Sequence, residues 1–184
     1  TKIAQSAAIL PLHVTTRQIA LPASPPFQID AHLLLIYTGR ARLARNLLQN
    51  VVRRWYARLP EIVETTDALT ANAEEAAAAF EAADLVTLGR CLDAYWEQKK
   101  RMASGSEPAF IAAMLAALRS AGAVHGGALC GAGGGGFMVL ITARPHAADE
   151  VRGLLEKDGL ISKDMSFHRV AIDHDGLSIT LTDE

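Results

Sequence analysis

Six consecutive residues, Gly131-Ala132-Gly133-Gly134-Gly135-Gly136, contain five glycines, and the apolar run Phe137-Met138-Val139-Leu140-Ile141 follows at once. Glycine loses more backbone freedom on folding than any other residue, so a cluster this dense weakens a fold unless the backbone itself must approach something closely. Successive N–H groups in turn conformation form an anion-binding concavity, and phosphate is the usual guest. The run is therefore expected to be a phosphate-binding loop. A flexible linker or a tight hairpin is the plainer alternative, and the apolar strands expected on both sides weigh against a linker. Neither of the two best-known phosphate loops fits. Phe137 stands where a Walker motif places Lys, and a strand follows the glycines where a dinucleotide fingerprint needs a helix. The loop lies between strands and offers backbone donors only.

Apolar spacing around the loop predicts mixed secondary structure. Ile9 to Leu21 alternates weakly and reads as a strand or strand pair, followed by a loop at Ala23-Ser24-Pro25-Pro26. His32 to Tyr37 is a dense apolar run, a buried strand that turns at Thr38-Gly39. Leu43, Leu47, Val51, Trp55 and Leu59 recur every fourth residue, an amphipathic helix that Pro60 interrupts or ends. The Ala- and Glu-rich stretch 61–83 is helical by propensity. Asp84 is placed to cap a helix carrying Leu85, Leu88, Leu92, Tyr95 and Met102 on one side, and Ser104-Gly105-Ser106 breaks it. A further helix over 107–121 is closed by Gly122.

Ala128-Leu129-Cys130 enters the glycine loop as a short strand and Phe137 to Thr142 leaves it as another. Pro145 to Lys157 reads as a helix ended near Gly159. Phe167 to Ile172 and Leu177 to Leu181 read as strands joined through Asp173-His174-Asp175-Gly176. Short connections favour a mostly antiparallel sheet, so the expected fold class is α+β with helices packed on one face.

At 184 residues the chain is expected to form one domain, or one with a small appendage. Half of it is hydrophobic and 21% is charged, an ordinary globular balance, and a net charge of −2 sets up no field that draws the molecule to nucleic acid or membrane. Cys91 and Cys130 have no metal-type spacing and point to a reducing compartment. With no signal peptide and no apolar run of spanning length, the expected location is the cytoplasm. The chain starts at Thr1 without an initiator Met, which reads as the tail part of a longer protein or a processed end.

Charge is distributed unevenly. Arg40, Arg42, Arg45, Arg53, Arg54 and Arg58 fall in a stretch without acids, whereas the stretch from there to Asp93 is acidic apart from Arg90. Arg40 and Arg42, just past the strand tip, are candidates for bidentate phosphate recognition, with a solvated surface the equal alternative. Arg53, Arg54 and Arg58 are expected on a solvated helix face, paired with the acidic helix that follows. In Tyr95-Trp96-Glu97-Gln98-Lys99-Lys100, Tyr95 belongs to the core stripe, while Trp96 and Lys99 either face a ligand cleft or pack on the surface. The six histidines, His13, His32 and His125 among them, show no ligand spacing, and Cys130 reads as a small strand residue.

Taken together, Leu34-Leu35-Ile36-Tyr37-Thr38-Gly39-Arg40, Leu43-Ala44-Arg45-Asn46-Leu47-Leu48, Tyr95-Trp96-Glu97-Gln98-Lys99-Lys100 and Leu129-Cys130-Gly131-Ala132-Gly133-Gly134-Gly135-Gly136-Phe137 resemble the C-terminal domain of sugar kinases. The family is the galactokinase–homoserine kinase–mevalonate kinase (GHMP) superfamily. The last segment is similar to its third motif, and the others resemble L-fucose kinases more narrowly, with heptose-phosphate kinases as near relatives. The resemblance runs from about Leu12 to Leu181 and implies a ferredoxin-like domain over 31–184. Residues 1–30 would then be a strand segment and loop at the junction to an N-terminal domain.

It further implies an ATP-dependent kinase acting on a sugar hydroxyl, with L-fucose or a heptose phosphate as the sugar. Gly131, Gly133, Gly135 and Gly136 would hold the ATP phosphates, with Ala132 and Gly134 between them. Thr38 and Gly39 would border the cleft, and Arg40 would lie near phosphate or sugar. The Pro-rich nucleotide loop, the Mg²⁺ ligand and the catalytic Asp of such kinases have no counterpart here. They are expected in an N-terminal kinase domain, without which this chain would be inactive. Two other classes remain open: an RNA-binding module, disfavoured by few strand aromatics and negative net charge, and a non-catalytic domain that binds a phosphorylated metabolite.

Overall fold

The structure is a computed structural model that describes residues 2–3, 14–19, 29–40, 45–173 and 176–177. Its centre is Leu33-Leu34-Leu35-Ile36-Tyr37, strand β3 (Leu33–Tyr37), in which Leu34 and Ile36 are buried on one face. Two minor strands, β1 (Lys2–Ile3) and β2 (Val14–Thr15), form a separate antiparallel ladder. Strands β4 (Val124–Leu129), β5 (Phe137–Thr142) and β6 (Ser166–Arg169) join β3 in a four-stranded sheet of order β4-β5-β3-β6. Every pairing is antiparallel, with Tyr37 opposite Phe137 and Ser166, and Leu129 opposite Met138.

Six helices accompany the sheet among the described residues: α1 (Ile29–His32), α2 (Arg45–Tyr56), α3 (Pro60–Glu81), α4 (Leu85–Met102), α5 (Ala109–Ser120) and α6 (Ala148–Lys157). Their ends follow from the sequence. Pro60 opens α3 in the first turn, where its missing N–H removes no helical bond. Asp84 caps α4, accepting from the Thr87 amide at 3.0 Å and its hydroxyl at 2.6 Å, which holds the carboxyl below its ordinary pKa. Gly122, at φ +63°, follows α5 in the left-handed conformation.

The core forms where α5 and α6 cover the face of the sheet bearing Leu34, Ile36, Met138 and Leu140. Ile111, Met114, Leu115 and Leu118 come from α5, and Val151 and Leu155 from α6. A second cluster joins Ile29, Ala79, Leu88 and Ile141. Strand β4 ends the sheet, and α4 lies along it. The Gly127 amide donates to Asp93 Oδ1 at 2.8 Å, and Arg119 pairs with the same carboxylate. Covering an edge strand with a helix blocks pairing with another chain. The approach is close enough that a Cβ on Gly126 would lie 1.8 Å from the Gly89 carbonyl oxygen.

The expected α+β fold with a mostly antiparallel sheet is the one observed. Several elements differ in extent. β4 begins at Val124, earlier than expected: its His125-Gly126-Gly127 stretch lacks strand-forming side chains, and pairing with β5 extends the strand through it. The apolar run from His32 is preceded by α1, which takes in His32 itself. β6 stops at Arg169, and most of the expected partner strand 177–181 lies outside the described residues, as does the loop at 23–26. Within the stretch 9–21, the described strand is Val14–Thr15. Trp96, expected at a cleft or on the surface, is fully buried in the main core, and Tyr95 packs half-buried against it. Among the described residues, no helix is long and apolar enough to cross a membrane.

Candidate functional site

The glycine run closes the β4–β5 hairpin, based on the Cys130 amide donating to the Phe137 carbonyl at 2.8 Å. Gly131, Gly133, Gly134, Gly135 and Gly136 have φ of +64°, +91°, +83°, +144° and +86°, a succession that L side chains rarely adopt. The inner half of the loop is bolted to two other segments. The Gly134 amide donates to the Ser106 carbonyl at 2.7 Å and the Gly136 amide to the Arg40 carbonyl at 2.6 Å. The Gly136 carbonyl accepts from both the amide and the hydroxyl of Thr38, each at 2.9 Å. A Cβ on Gly133 would sit 2.6 Å from the Ser106 carbonyl oxygen, and one on Gly135 2.5 Å from that of Arg40. This is a fixed loop, not a linker.

The outer half is different. Gly131 is exposed, and a Cβ there would meet nothing within 4 Å. The amides of Gly131 and Ala132 there, and those of the buried inner residues Gly133 and Gly135, have no acceptor among the described residues. An amide left without an acceptor is a strong donor awaiting one, and several together suit an anion. Beside Gly133 lies Ser106, fully buried, with its hydroxyl oxygen unpartnered among the described residues. Two residues further, Pro108 precedes α5 as an N-cap that makes no side-chain hydrogen bond, so the helix's positive end is left to the same neighbourhood.

Two cations flank the loop. Lys99 of α4 donates from Nζ to the Gly131 carbonyl and to the Tyr95 hydroxyl at 3.2 Å, lying 5.4 Å and 5.7 Å from the Tyr95 and Trp96 ring centres. Among the described residues no carboxylate pairs with it, because its neighbour Lys100 takes both Glu97 (2.6 Å) and Glu107 (3.3 Å). Burial pulls the Lys100 pKa down, but the bonds to those two carboxylates outweigh it and the net shift is upward. Glu107 also receives the Trp96 indole N–H at 2.5 Å, which locks the base of this corner. Arg40 stacks its guanidinium 4.6 Å over the Phe110 ring in the first turn of α5.

The residues singled out in the sequence thus converge on one corner, with altered tasks. The amides of Gly131, Ala132, Gly133 and Gly135 have no protein acceptor among the described residues; those of Gly134 and Gly136 are engaged by protein. Thr38 is buried and clamps the loop. Gly39, at φ +73°, lets its turn pack against Ser162 and Asp164, where a Cβ would lie 2.8 Å and 3.1 Å away. Arg40 reaches the loop through its carbonyl. Arg42 lies outside the described residues. Arg54 pairs with Glu61 at 2.5 Å and donates to the Met102 carbonyl, and Arg58 stacks on Trp55, in keeping with the surface expected for this helix. Ser106, Glu107 and Phe110 were not singled out, since nothing in local spacing shows that residues 106–110 meet the loop.

As an ATP-phosphate site the corner fits in its donors: unpaired amides, a buried hydroxyl and an uncompensated ammonium. Among the described residues, no group of three or more His, Cys, Asp or Glu could hold a metal ion.

Comparison with known proteins places this geometry. Residues 76–158, from α3 through the glycine loop to the end of α6, match the family described as GHMP kinases C terminal. The chain is 30% identical over 129 residues to a Bacteroides fragilis L-fucokinase/L-fucose-1-P guanylyltransferase, which covers 70% of this chain. It is 26% identical over 141 residues to an Arabidopsis thaliana bifunctional fucokinase/GDP-fucose pyrophosphorylase, covering 76% of this chain. The match spans 13% of the length of each relative. L. major mevalonate kinase, solved in complex with R-mevalonate, shares the fold with a TM-score of 0.60 at 21% identity, over 68% of this chain and 37% of that one. Over residues 76–158 the chain carries a match to the GHMP kinase C-terminal domain, and the fucokinase relatives and the fold shared with the mevalonate kinase agree with it.

Proposed function

We propose that the chain is the C-terminal part of an ATP-dependent sugar kinase that transfers the γ-phosphate to a sugar hydroxyl, with L-fucose the favoured acceptor. A heptose phosphate is the second acceptor to test. The observation that carries the reading is the divided glycine loop, its inner half fastened to Ser106, Arg40 and Thr38 and its outer amides left for an anion. Phosphoryl transfer asks mainly for positioning and for charge stabilisation around the moving group, and preorganised backbone donors supply both. Fastening the inner half means the donors need not reorganise when the phosphates arrive. The fucokinase relatives support the choice of sugar. ATP is the proposed cosubstrate. Mg²⁺, its ligands and the catalytic Asp are assigned to an N-terminal kinase domain, and the cytoplasm is the proposed place of action.

The test has two parts. Calorimetric titration of this chain with ATP is expected to show binding. Phosphoryl transfer with ATP, Mg²⁺ and either L-fucose or a heptose phosphate is expected to be absent for the chain alone. Turnover at an ordinary kinase rate by this polypeptide would overturn the assignment of the catalytic Asp to another domain; failure to bind any nucleotide or polyphosphate would overturn the loop's role. The RNA-binding alternative gains nothing from Arg54 of α2 or from Arg58 just beyond it, which are engaged within the protein.

A further inference from the structure

Lys99 and Lys100 are neighbours on α4 with opposite electrostatic fates. Lys100 is neutralised by Glu97 and Glu107. Lys99, with no carboxylate partner among the described residues, is directed to the loop's exposed end by the Gly131 carbonyl, with its ammonium within cation–π reach of the Tyr95 and Trp96 rings. An ammonium has three donors. Two are accounted for, by Gly131 and Tyr95, and both acceptors are neutral. A charge facing neutral acceptors beside several unpaired amides gains more from an anion than from either present partner, since charge-assisted bonds are about twice as strong as neutral ones.

We propose that Lys99 is the positioning cation of the glycine loop: it holds the loop's outer end through the Gly131 carbonyl and turns to a phosphate oxygen when a nucleoside polyphosphate enters. The inference rests on the phosphate-loop reading above and adds a side chain to a site otherwise made of backbone. Two independent fastenings result. Trp96, through Glu107, steadies the segment whose Ser106 carbonyl grips Gly134. Lys99, one turn further along α4, holds Gly131. The first is permanent, because Trp96 is core. The second is exchangeable, because Lys99 carries its charge on a flexible four-carbon stem and acts as a point charge, where a planar guanidinium would demand fixed geometry. In the free protein Lys99 thus preorganises the amides; in the bound one it adds charge to them.

The experiment is calorimetric titration of the full chain with sodium tripolyphosphate and with ATP at low and moderate salt, for wild type, Lys99→Met and Lys157→Met. Lys157, at the end of α6, matches the charge change away from the loop. The expected result is a loss of about tenfold or more in affinity for Lys99→Met, the scale of one charge-assisted bond, with a shallower salt dependence. Lys157→Met should bind like wild type. Equal affinity and equal salt dependence for wild type and Lys99→Met would overturn the role of Lys99 and leave the loop reading standing. Wild type binding neither probe would overturn both. Should Lys99→Met lose its folded circular-dichroism spectrum, the ¹⁵Nζ resonance of Lys99 in wild type decides: it is expected to shift on adding tripolyphosphate, and an unmoved signal sinks the proposal.

Discussion

Gly131 and Gly133 stand two residues apart in the same loop, both at positive φ, yet alanine should treat them differently. At Gly131 the left-handed backbone is the whole cost, about 1–2 kcal/mol, because a Cβ there meets nothing within 4 Å. At Gly133 the Cβ would also press the Ser106 carbonyl oxygen at 2.6 Å, and that oxygen is held in place by the Gly134 amide. Gly133→Ala is therefore expected to cost at least about 3 kcal/mol in urea unfolding, combining backbone strain with overpacking. Similar losses for the two variants would mean that the inner half of the loop is not fastened as described. The glycine run was legible in the sequence, but its division was not. Ser106 and Arg40 lie far from it along the chain, and the bonds that divide it are backbone to backbone, so no side-chain pattern marks them. The reversal at Trp96 has a similar origin. A single stripe on α4 assumes one buried face, whereas α4 packs against both β4 and α3 and so buries Cys91 and Trp96 beside the expected positions.

Helix α4 on strand β4 is the contact that sequence periodicity described least well, and its physics concentrates at Gly89, Gly126 and His125. A Cβ on Gly89 would lie 2.4 Å from the His125 Cβ, and one on Gly126 would overlap the Gly89 carbonyl, so either Gly→Ala change should prevent native folding. One glycine in mid-helix and one in mid-strand, each unfavourable by propensity, are what let the helix reach the sheet edge. The same closeness half-buries His125, and this burial lowers its imidazole pKa below the ordinary 6.5; His32 adds repulsion and Asp84 opposes the shift. The folded state thus prefers neutral His125, and the unfolded chain takes up its proton at higher pH. The resulting stability is present above about pH 6.5 and is lost as pH falls through the lower folded value. Urea midpoints measured from pH 7.5 to 5 should fall, and His125→Gln should flatten that fall. An unchanged slope in the variant would place the responsible titration elsewhere.

Across the whole molecule, the apolar side of α2 is the largest departure from what amphipathic spacing suggests. Val51 is half-buried, but Leu48, Val52, Trp55 and Tyr56 are exposed, Tyr56 to 82%. Periodicity shows which side of a helix is apolar; it carries no information about what covers that side. For α5 the cover is the sheet of this same domain, and Leu115 is fully buried on it. The two helices should therefore respond oppositely to the loss of apolar side chains. Leu115→Ala leaves a cavity between α5 and the sheet and is expected to cost about 2–5 kcal/mol. Val52→Ser combined with Tyr56→Ser removes more apolar surface, yet from solvent, and should change the unfolding free energy by no more than about 0.5 kcal/mol per site. The check is urea unfolding of both variants at several protein concentrations. A large cost for the α2 pair that is independent of concentration would show that this face is packed within the chain. A cost that grows with concentration would show that copies of the protein associate through it. The expected result, little change at any concentration, means that α2 contributes almost nothing to the stability of this domain through that face.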